Sequence, residues 1–201
     1  MQPTFDKTAR YYDAALRPFE KRFLGKWRAE TLGLLPAGAT ILEVGAGTGA
    51  NFAFYPKCRH AVASEFSAQM LDHARQKTET IDLLLTDAEH LPFAANHFDA
   101  AFATLVFCSI PDPGAAFAEL IRVVRPGGRV VLLEHVRPPG LLGMIFDVLS
   151  VLTVAVIDDH FNRRTAKIAA DAGLNVIEVR KKALGVFNLI VCETSRTGEE
   201  N

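Results

Sequence analysis

Short apolar runs alternate with amphipathic stretches along most of the chain, and the runs end at glycines or acidic residues. Each run is four to eight residues long, which is the usual length of a buried strand. Between the runs, apolar residues recur at helical spacing, and glycine, proline or serine marks the boundaries. The pattern predicts seven strands, at residues 40–44, 61–64, 81–86, 98–104, 129–134, 175–181 and 186–193.

Capping signals mark the helices between these strands. Ser67 precedes a stretch in which Met70 begins an apolar face, and a serine at this place accepts a hydrogen bond from the helical backbone. Pro113 is expected to open another helix, which the Gly127-Gly128 pair ends. A further helix is expected to start at Thr48 or just after it.

The alternation of strands and helices predicts an α/β fold with a mostly parallel sheet and helices on both faces. A short turn around Gly185 separates the last two strands. This connection is too short for a parallel crossover, so these strands are expected to form an antiparallel hairpin. In such a sheet, ligands bind beyond the carboxyl ends of the strands.

Residues with a clear chemical role follow three consecutive strands. Residues 45–49 (GAGTG) form a glycine-rich turn in which backbone N–H groups can approach a ligand closely. Glu65 lies 20 residues beyond Gly45, a distance typical of an acid that binds ribose hydroxyls. Asp87 follows the third strand, where it can accept a hydrogen bond from an adenine amine. Together they indicate a nucleoside cofactor; the alternatives are an ordinary turn, a solvated acid and a helix cap.

The spacing of the glycines separates two classes of cofactor. Dinucleotide-binding turns usually read GxGxxG, whereas this turn reads GxGxG. Glu43 precedes it by two residues, and an acid there can meet the cationic amino group of a methionine moiety, directly or through water. Because NAD has no such cation, S-adenosylmethionine is favoured over a dinucleotide.

Composition narrows the class of protein further. The chain has 201 residues, of which 49% are apolar, and its formal net charge is −1. These values predict a single globular domain and argue against a nucleic-acid partner, because nucleic-acid-binding domains are usually basic. Cys58, Cys108 and Cys192 fit neither a disulfide set nor a zinc motif. We therefore expect no metal site, a reducing cytoplasmic location and a buried, apolar role for Cys108.

Two segments favour contact with a lipid-like molecule. Residues 5–30 combine an aromatic helical face with basic residues around the other side, which predicts either a peripheral contact with the inner membrane surface or a helix packed on the domain. Residues 141–157 are apolar except for Asp147, and this run is too short for a spanning helix, so a buried or substrate-facing helix is expected. The face contains Leu16, Phe19, Phe23 and Trp27, and the basic residues are Arg17, Lys21, Arg22, Lys26 and Arg28.

Four runs of sequence occur in the order typical of one family: ILEVGAGTG, TDAEHLPF, FDAAFATLVFCSIPDP and RVVRPGGRVVLLEH. With Glu65 between the first two, they closely resemble class I S-adenosylmethionine-dependent methyltransferases, most of all the ubiquinone/menaquinone-biosynthesis group. GTGANFAFYP, TLVFCSIPDP and LLEHV also resemble methyltransferase-like 7 proteins, which methylate small thiols. SIPDP and the short length resemble bacterial phospholipid N-methyltransferases, which act on phosphatidylethanolamine.

This resemblance implies a Rossmann-like, seven-stranded fold and a division of the single domain. Residues 1–37 would form an N-terminal helical cap and residues 38–136 the cofactor-binding core. Residues 137–173 would form a helical acceptor lid, and residues 174–195 the terminal hairpin.

The resemblance also implies which residues contact S-adenosylmethionine. The glycine turn would surround the methionine part, Glu65 the ribose, and the residues near Asp87 the adenine. Either Tyr11 or Tyr12 matches an N-terminal tyrosine that folds over the cofactor in this group. The implied cofactor-binding residues are Tyr12, Glu43, Gly45, Ala46, Gly47, Thr48, Gly49, Glu65, Phe66, Met70, Asp87, Ala88 and Thr104.

A weakly nucleophilic acceptor needs a general base. The catalytic candidates are His135, Tyr11 and Tyr12, with Asp159 and His160 nearby in the predicted fold; a structural role is the alternative for His135. The expected acceptor pocket contains Phe107, His135, His160, Asn162 and Arg163. Asn162, Arg163 and the following Arg164 are candidates either for binding a phosphate or for capping the next helix.

Methyl transfer to a small hydrophobic or amphiphilic acceptor is therefore the expected function. A phospholipid amine, phosphatidylethanolamine, fits both the apolar lid and the basic helix. A thiol or a quinone precursor fits the lid alone. A non-catalytic protein that binds the cofactor or a membrane surface is the alternative of another class.

Overall fold

The computed structural model describes residues 20–136 and 163–195. Its strands lie close to the predicted ones, and the largest difference is at the fifth strand, which begins at Val124 instead of residue 129. In the described ranges the strands are β1 (Thr40–Val44), β2 (His60–Glu65), β3 (Asp82–Leu85), β4 (Phe98–Thr104), β5 (Val124–His135), β6 (Asn175–Lys182) and β7 (Phe187–Glu193).

All of these strands form one sheet with the order β3-β2-β1-β4-β5-β7-β6. The pairs from β3 to β5 are parallel, and β7 runs antiparallel to both of its neighbours, β5 and β6. The α/β fold with a mostly parallel sheet and a terminal antiparallel hairpin is therefore confirmed.

The helices connect these strands on both faces of the sheet. Their bounds are α1 (Gly25–Leu32), which continues a π-helical turn at Glu20–Leu24, α2 (Ala68–Arg75), α3 (Pro113–Val123) and α4 (Thr165–Asp171). Short 3-10 turns lie at Phe52–Phe54 and Ala183–Gly185.

Alternation along the central strands builds two cores, one on each face. Leu42 of β1 is buried in a cluster with Phe117 of α3 and Ala169 of α4. The preceding residue, Ile41, is buried in a second cluster, with Leu32 of α1. Because successive side chains of a strand point to opposite faces, this division places α3 and α4 on one face and α1 on the other.

The helix starts predicted at Ser67 and Pro113 are confirmed. The Ser67 hydroxyl accepts a hydrogen bond from the backbone N–H of Met70 at 3.2 Å, and α2 begins at the next residue. Asp112 caps α3 through a 3.0 Å bond from the N–H of Ala115, with Pro113 in the first turn. These caps satisfy backbone donors that lack a partner within the helix.

The predicted end of α3 is wrong. The helix stops at Val123, and β5 begins at Val124 and runs through the glycine pair. A Cβ on Gly128 would lie 2.8 Å from the carbonyl oxygen of Asp99. Gly128 therefore allows β5 to approach β4 closely where their register shifts, and it does not terminate a helix.

The helix expected at Thr48 is also absent from the described structure, where turns lead from the glycine-rich segment to the 3-10 turn at Phe52–Phe54. Gly47 and Gly49 have φ angles of 56° and 81°, outside the right-handed helical region. Pro56 has no backbone N–H group and cannot donate a helical hydrogen bond. The segment between Gly49 and Pro56 is therefore too short for an α-helix.

Replacing Phe117 by Ala tests the core that supports α3. Its ring is fully buried and stacks on Phe107 with centroids 4.2 Å apart. We expect Phe117→Ala to lower the free energy of unfolding by about 3–5 kcal/mol, because it leaves a cavity. Urea denaturation measures this change. The control Leu184→Ala, at an exposed side chain, should stay within about 0.5 kcal/mol of the wild type; equal losses in both variants would contradict the assignment.

Candidate functional site

A cavity of about 220 Å³ lies at the carboxyl ends of β1, β2, β3 and β4. This is the edge of the sheet at which the sequence predicted a ligand site. The described residues that line the cavity are 44–48, 64–67, 86–89, 104–106 and 109–111, together with Arg28, Ala50 and Met70.

The glycine-rich turn forms one wall of the cavity. Gly45 has a φ of 71°, and a Cβ there would lie 2.4 Å from a methyl group of Val106, so this position requires glycine. Gly47 also has a positive φ, but open space surrounds the place where its Cβ would lie. The turn thus packs tightly against the loop after β4 at Gly45 and leaves room at Gly47.

Glu65 joins this turn to the end of β2. Its carboxylate accepts a hydrogen bond from the N–H of Gly47 and another from the N–H of Ser67, both at 2.8 Å. These bonds fix the orientation of the carboxylate at the cavity wall. An acid in this position suits vicinal hydroxyl groups, which are hydrogen-bond donors.

The end of the cavity near β3 combines acids with an aromatic ring. Asp87 lines the cavity and also accepts a 2.9 Å bond from the N–H of Glu89, so the capping role and the cavity position coexist. Phe66 is 44% exposed and lines the cavity beside the buried Met70. A flat aromatic surface next to carboxylate acceptors suits a nucleobase that carries an amine.

Glu43 does not lie on the described wall of the cavity. It is fully buried, and its two oxygens accept hydrogen bonds from the Asn51 amide and the Tyr55 hydroxyl, both at 2.5 Å. Burial raises the pKa of this carboxyl group to about 7, although the bonds from Asn51 and Tyr55 act in the opposite direction. These two donors engage the carboxyl group in the described structure, and its contact with a cationic amino group, directly or through water, stays a prediction.

Sequence reasoning missed Arg28 as a cavity residue. The residue is only 4% exposed and lines the cavity, and its guanidinium donates to Asn51 at 2.8 Å and to Thr104 at 2.5 Å. Asn51 also donates to Thr104, at 2.8 Å. Asn51 and Tyr55 were missed too, although both lie in the GANFAFYP run that resembles a known family.

The predicted faces of the first helix lie only partly within the described ranges, since Leu16, Arg17 and Phe19 fall outside them; among the described residues, the assignment of Arg28 to the basic surface is wrong. Leu24, Arg28 and Leu32 face the protein, whereas Phe23 is 43% exposed and Trp27 is half-buried. Arg28 therefore belongs to the buried side and not to the basic surface. Both sets of positions recur at helical spacing, so tertiary packing decides between them.

Two charged side chains, the buried Glu134 and the half-buried Arg163, hold the loop after β4. Its first residue, Leu105, has a φ of 60°, which is uncommon for residues other than glycine. The buried Glu134 accepts bonds from the N–H groups of Val106 and Phe107, at 3.0 and 3.2 Å. Arg163 donates to the carbonyl oxygens of Phe107 and Ile110. The loop is thus fixed where it lines the cavity.

Two residues assigned to the acceptor pocket therefore have other places in the described structure. Phe107 is fully buried in the core, stacked on Phe117, because the turn at Leu105 directs it inward. The contacts of Arg163 with backbone carbonyls support the loop. Cys108 is buried, as expected for a small apolar residue.

The remaining predicted site residues divide into three groups. Ala46, Thr48, Ala88 and Thr104 line the cavity as predicted for neighbours of a ligand. His135 is buried at the end of β5, with its ring 6.5 Å from that of Phe187, and neither it nor Gly49 lines the described cavity. The predictions for Tyr11, Tyr12, Asp159, His160 and Asn162, and for the apolar run 141–157, concern residues outside the described ranges.

Comparison with known proteins agrees with this geometry. A methyltransferase domain family matches residues 42–132. A phosphatidylethanolamine N-methyltransferase of Cereibacter sphaeroides is 31% identical over 148 residues, which cover 70% of this chain and 72% of that protein. The chain belongs to the class I S-adenosylmethionine-dependent methyltransferases.

Other members of this family differ in their named acceptors. A demethylmenaquinone methyltransferase of Renibacterium salmoninarum is 34% identical over 138 residues, which cover 67% of this chain. The match spans only 58% of that relative's length. A methyltransferase structure from Thermotoga maritima superposes with a TM-score of 0.76 at 20% identity, covering 97% of this chain and all of that one, and this likeness shows the shared fold.

Membership of this family implies S-adenosylmethionine as the cofactor, and the cavity fits such a molecule. Open space beside Gly47 leaves room close to backbone N–H groups. Glu65 and Asp87 supply acceptors, and Phe66 supplies an exposed aromatic surface. None of the described helices is both long and apolar enough to cross a membrane.

The raised pKa of Glu43 predicts a specific dependence of stability on pH. The carboxyl pKa is about 7 in the folded protein against an ordinary value of 4.5, so the folded state holds the proton more tightly. Stability from this group is fully present below the lower value and is lost as pH rises through the higher one.

Replacing Glu43 by Gln should remove this loss. From about pH 5 to pH 8, the free energy of unfolding of Glu43→Gln should rise relative to wild type by up to about 3 kcal/mol, on top of a pH-independent offset. Urea denaturation across this range measures the difference. A constant difference between the two proteins at every pH would contradict the raised pKa.

Proposed function

We propose that this protein transfers a methyl group from S-adenosylmethionine to the amine of a phospholipid such as phosphatidylethanolamine. The observation that supports the cofactor is the cavity at four strand ends, which is lined by a glycine turn, three carboxylates and an exposed aromatic ring. In this proposal Phe66 and Asp87 hold the adenine, and Glu65 binds the ribose hydroxyls. Residues 45–48 and Thr104 surround the amino-acid part.

Methyl transfer requires little of the protein beyond positioning the two reactants. When bound, S-adenosylmethionine supplies an electrophilic methyl group on a sulfonium and leaves as a neutral thioether. The walls at Gly45 and Leu105 hold the reacting groups in line and exclude water from them. A neutral amine is already nucleophilic. The acceptor therefore needs only to lose the extra proton of its ammonium form before the methyl group is transferred. The candidate bases remain Tyr11, Tyr12, Asp159 and His160, together with His135, which does not line the described cavity.

Two observations support the proposed acceptor: the exposed side chains of α1 and the acceptors named for the relatives. Phe23 is exposed, and the guanidinium of Arg22 lies 5.6 Å from the centre of its ring. Lys26 is exposed on the same helix. An aromatic side chain beside basic groups favours contact with an anionic membrane surface, from which a phospholipid can enter. We therefore place residues 5–30 at the inner membrane surface of a cytoplasmic protein.

The phospholipid relative supports the same acceptor. The chain matches a larger share of the phosphatidylethanolamine N-methyltransferase, 72%, than of the demethylmenaquinone methyltransferase, 58%. A quinone precursor is the second candidate, because that relative has the higher identity, 34% against 31%.

Radiolabelled methyl transfer tests the function directly. The protein is incubated with labelled S-adenosylmethionine and anionic liposomes that contain phosphatidylethanolamine, and the lipids are extracted and separated. The proposal predicts label in mono- or dimethylated phosphatidylethanolamine and none with liposomes in which phosphatidylcholine replaces it. Label in an added quinone precursor, with none in lipid, would contradict the phospholipid acceptor and favour the second candidate.

Replacing Asp87 by Ala tests the adenine end of the cavity. Because its carboxylate is the proposed acceptor for the adenine amine, Asp87→Ala should weaken binding of S-adenosylhomocysteine about tenfold in calorimetry. Asp72→Ala is the matched control, since Asp72 is exposed and pairs with Arg75 outside the cavity. Equal affinities for the two variants would remove Asp87 from the adenine site.

A further inference from the structure

The turn between β6 and β7 exposes a large apolar side chain. Leu184, at its centre, is 89% exposed, the largest value among the large apolar side chains of the described residues. Its φ is 58°, and the preceding residue, Ala183, has a φ of 46°, so the turn holds Leu184 outward in a conformation that is unfavourable for residues other than glycine. Strained backbone at an exposed apolar residue indicates a function for the turn, since packing does not account for it.

This turn lies at the same edge of the sheet as the cavity. Phe187, at the start of β7, pairs with His135 at the carboxyl end of β5. β5 runs parallel to β4, whose last residue, Thr104, lines the cavity. A surface that contacts Leu184 therefore faces the edge of the sheet at which the cavity lies.

Helix α1 extends toward the same edge. Glu30, near its end, pairs with Lys182 of β6 at 2.7 Å. One turn earlier, the ring of Trp27 lies 5.2 Å from that of Phe187, and the ring of Phe23 lies 5.9 Å from that of Trp27. Four residues of helix rise by roughly 6 Å, so Phe23 lies beyond Phe187 in the direction of the turn. Phe23 is 43% exposed there.

Basic side chains accompany these apolar ones. Arg22, Lys26 and Lys181 are exposed, and the guanidinium of Arg22 lies 5.6 Å from the centre of the Phe23 ring. None of the described acids forms an ion pair with these three cations. Apolar side chains among cations suit an anionic bilayer, in which the apolar groups enter the lipid and the cations stay at the headgroups.

We infer that the turn between β6 and β7 is a second membrane-contacting element, which inserts Leu184 into an anionic bilayer beside Phe23 and turns the cavity edge of the sheet toward the lipid. The inference rests on the proposed function and adds a contact outside residues 5–30. In this orientation a phospholipid amine approaches the cavity from the membrane surface. The charges favour lipid over a second copy of this chain, because a symmetric interface would bring the same cations together.

Co-sedimentation with liposomes of phosphatidylethanolamine and phosphatidylglycerol tests the contact. Leu184→Ser should weaken binding about tenfold, because it removes an apolar side chain that the bilayer would bury. Ile177→Ser is the matched control, since Ile177 is 53% exposed near the other end of β6, and it should bind like wild type. Lys181→Gln should weaken binding to these liposomes about fivefold and leave binding to neutral phosphatidylcholine liposomes unchanged.

Three results would overturn the inference. Leu184→Ser could bind the liposomes as tightly as wild type, or Ile177→Ser could lose as much binding as Leu184→Ser. Leu184→Ser could also keep liposome binding and abolish a self-association of the wild type in sedimentation velocity, which would assign the turn to a second copy of the chain.

Methyl transfer to phosphatidylethanolamine in detergent micelles tests the proposed function separately. Leu184→Ser should match wild type in micelles and label less lipid than wild type in liposomes. A wild type that binds liposomes through Leu184 but labels no phosphatidylethanolamine in either form would contradict the proposed function and leave the membrane contact in place.

Discussion

The parallel register of β1, β2, β3 and β4 brings their carboxyl ends to one edge of the sheet, and the cavity depends on this alignment. Segments far apart in sequence meet there and leave little space between them. Gly45 leaves no room for a side chain because Val106 already occupies the space. A shift of one residue in any of these pairings would turn every side chain of that strand to the opposite face. The sheet thus fixes which polar groups face the ligand before any loop contributes.

A buried polar network supports this edge and connects it to α1. Asn51 is its centre, since it contacts Glu43, Thr104 and Arg28. The network therefore joins residues of β1 and β4 to a helix that lies on one face of the sheet. Buried polar groups destabilise a protein unless each finds a partner, so the network favours a single arrangement of α1 against the strand ends. In this way α1, which resembles a surface element in sequence, becomes part of the wall.

Sequence alone located the elements whose signals are local. Ser67 and Pro113 mark helix starts through backbone chemistry that needs no distant partner, and both are confirmed. The residues that follow the strands, such as Glu65 and Asp87, were found because a parallel sheet gathers strand ends at one edge. These residues lie at the cavity because of the order and direction of the strands, and the hydrophobic periodicity of the sequence predicts such strands well.

The misses arose where a long-range contact decides the outcome. Arg28 was assigned to a basic surface because both faces of its helix show apolar spacing, and the sequence does not tell which face packs inward. Phe107 follows a strand end, but the unusual backbone of Leu105 directs it into the core. The contacts of Glu43 with Asn51 and Tyr55 were also not foreseen, since nothing in its own motif shows that these residues fold back to bind it.

A crystal structure of the protein with S-adenosylhomocysteine would test the central claim most directly. The account predicts one molecule in the cavity at the four strand ends, with the adenine beside Phe66 and Asp87 and the ribose hydroxyls on Glu65. A nucleoside bound elsewhere on the protein, or bound with its amino-acid part toward Asp87, would contradict it.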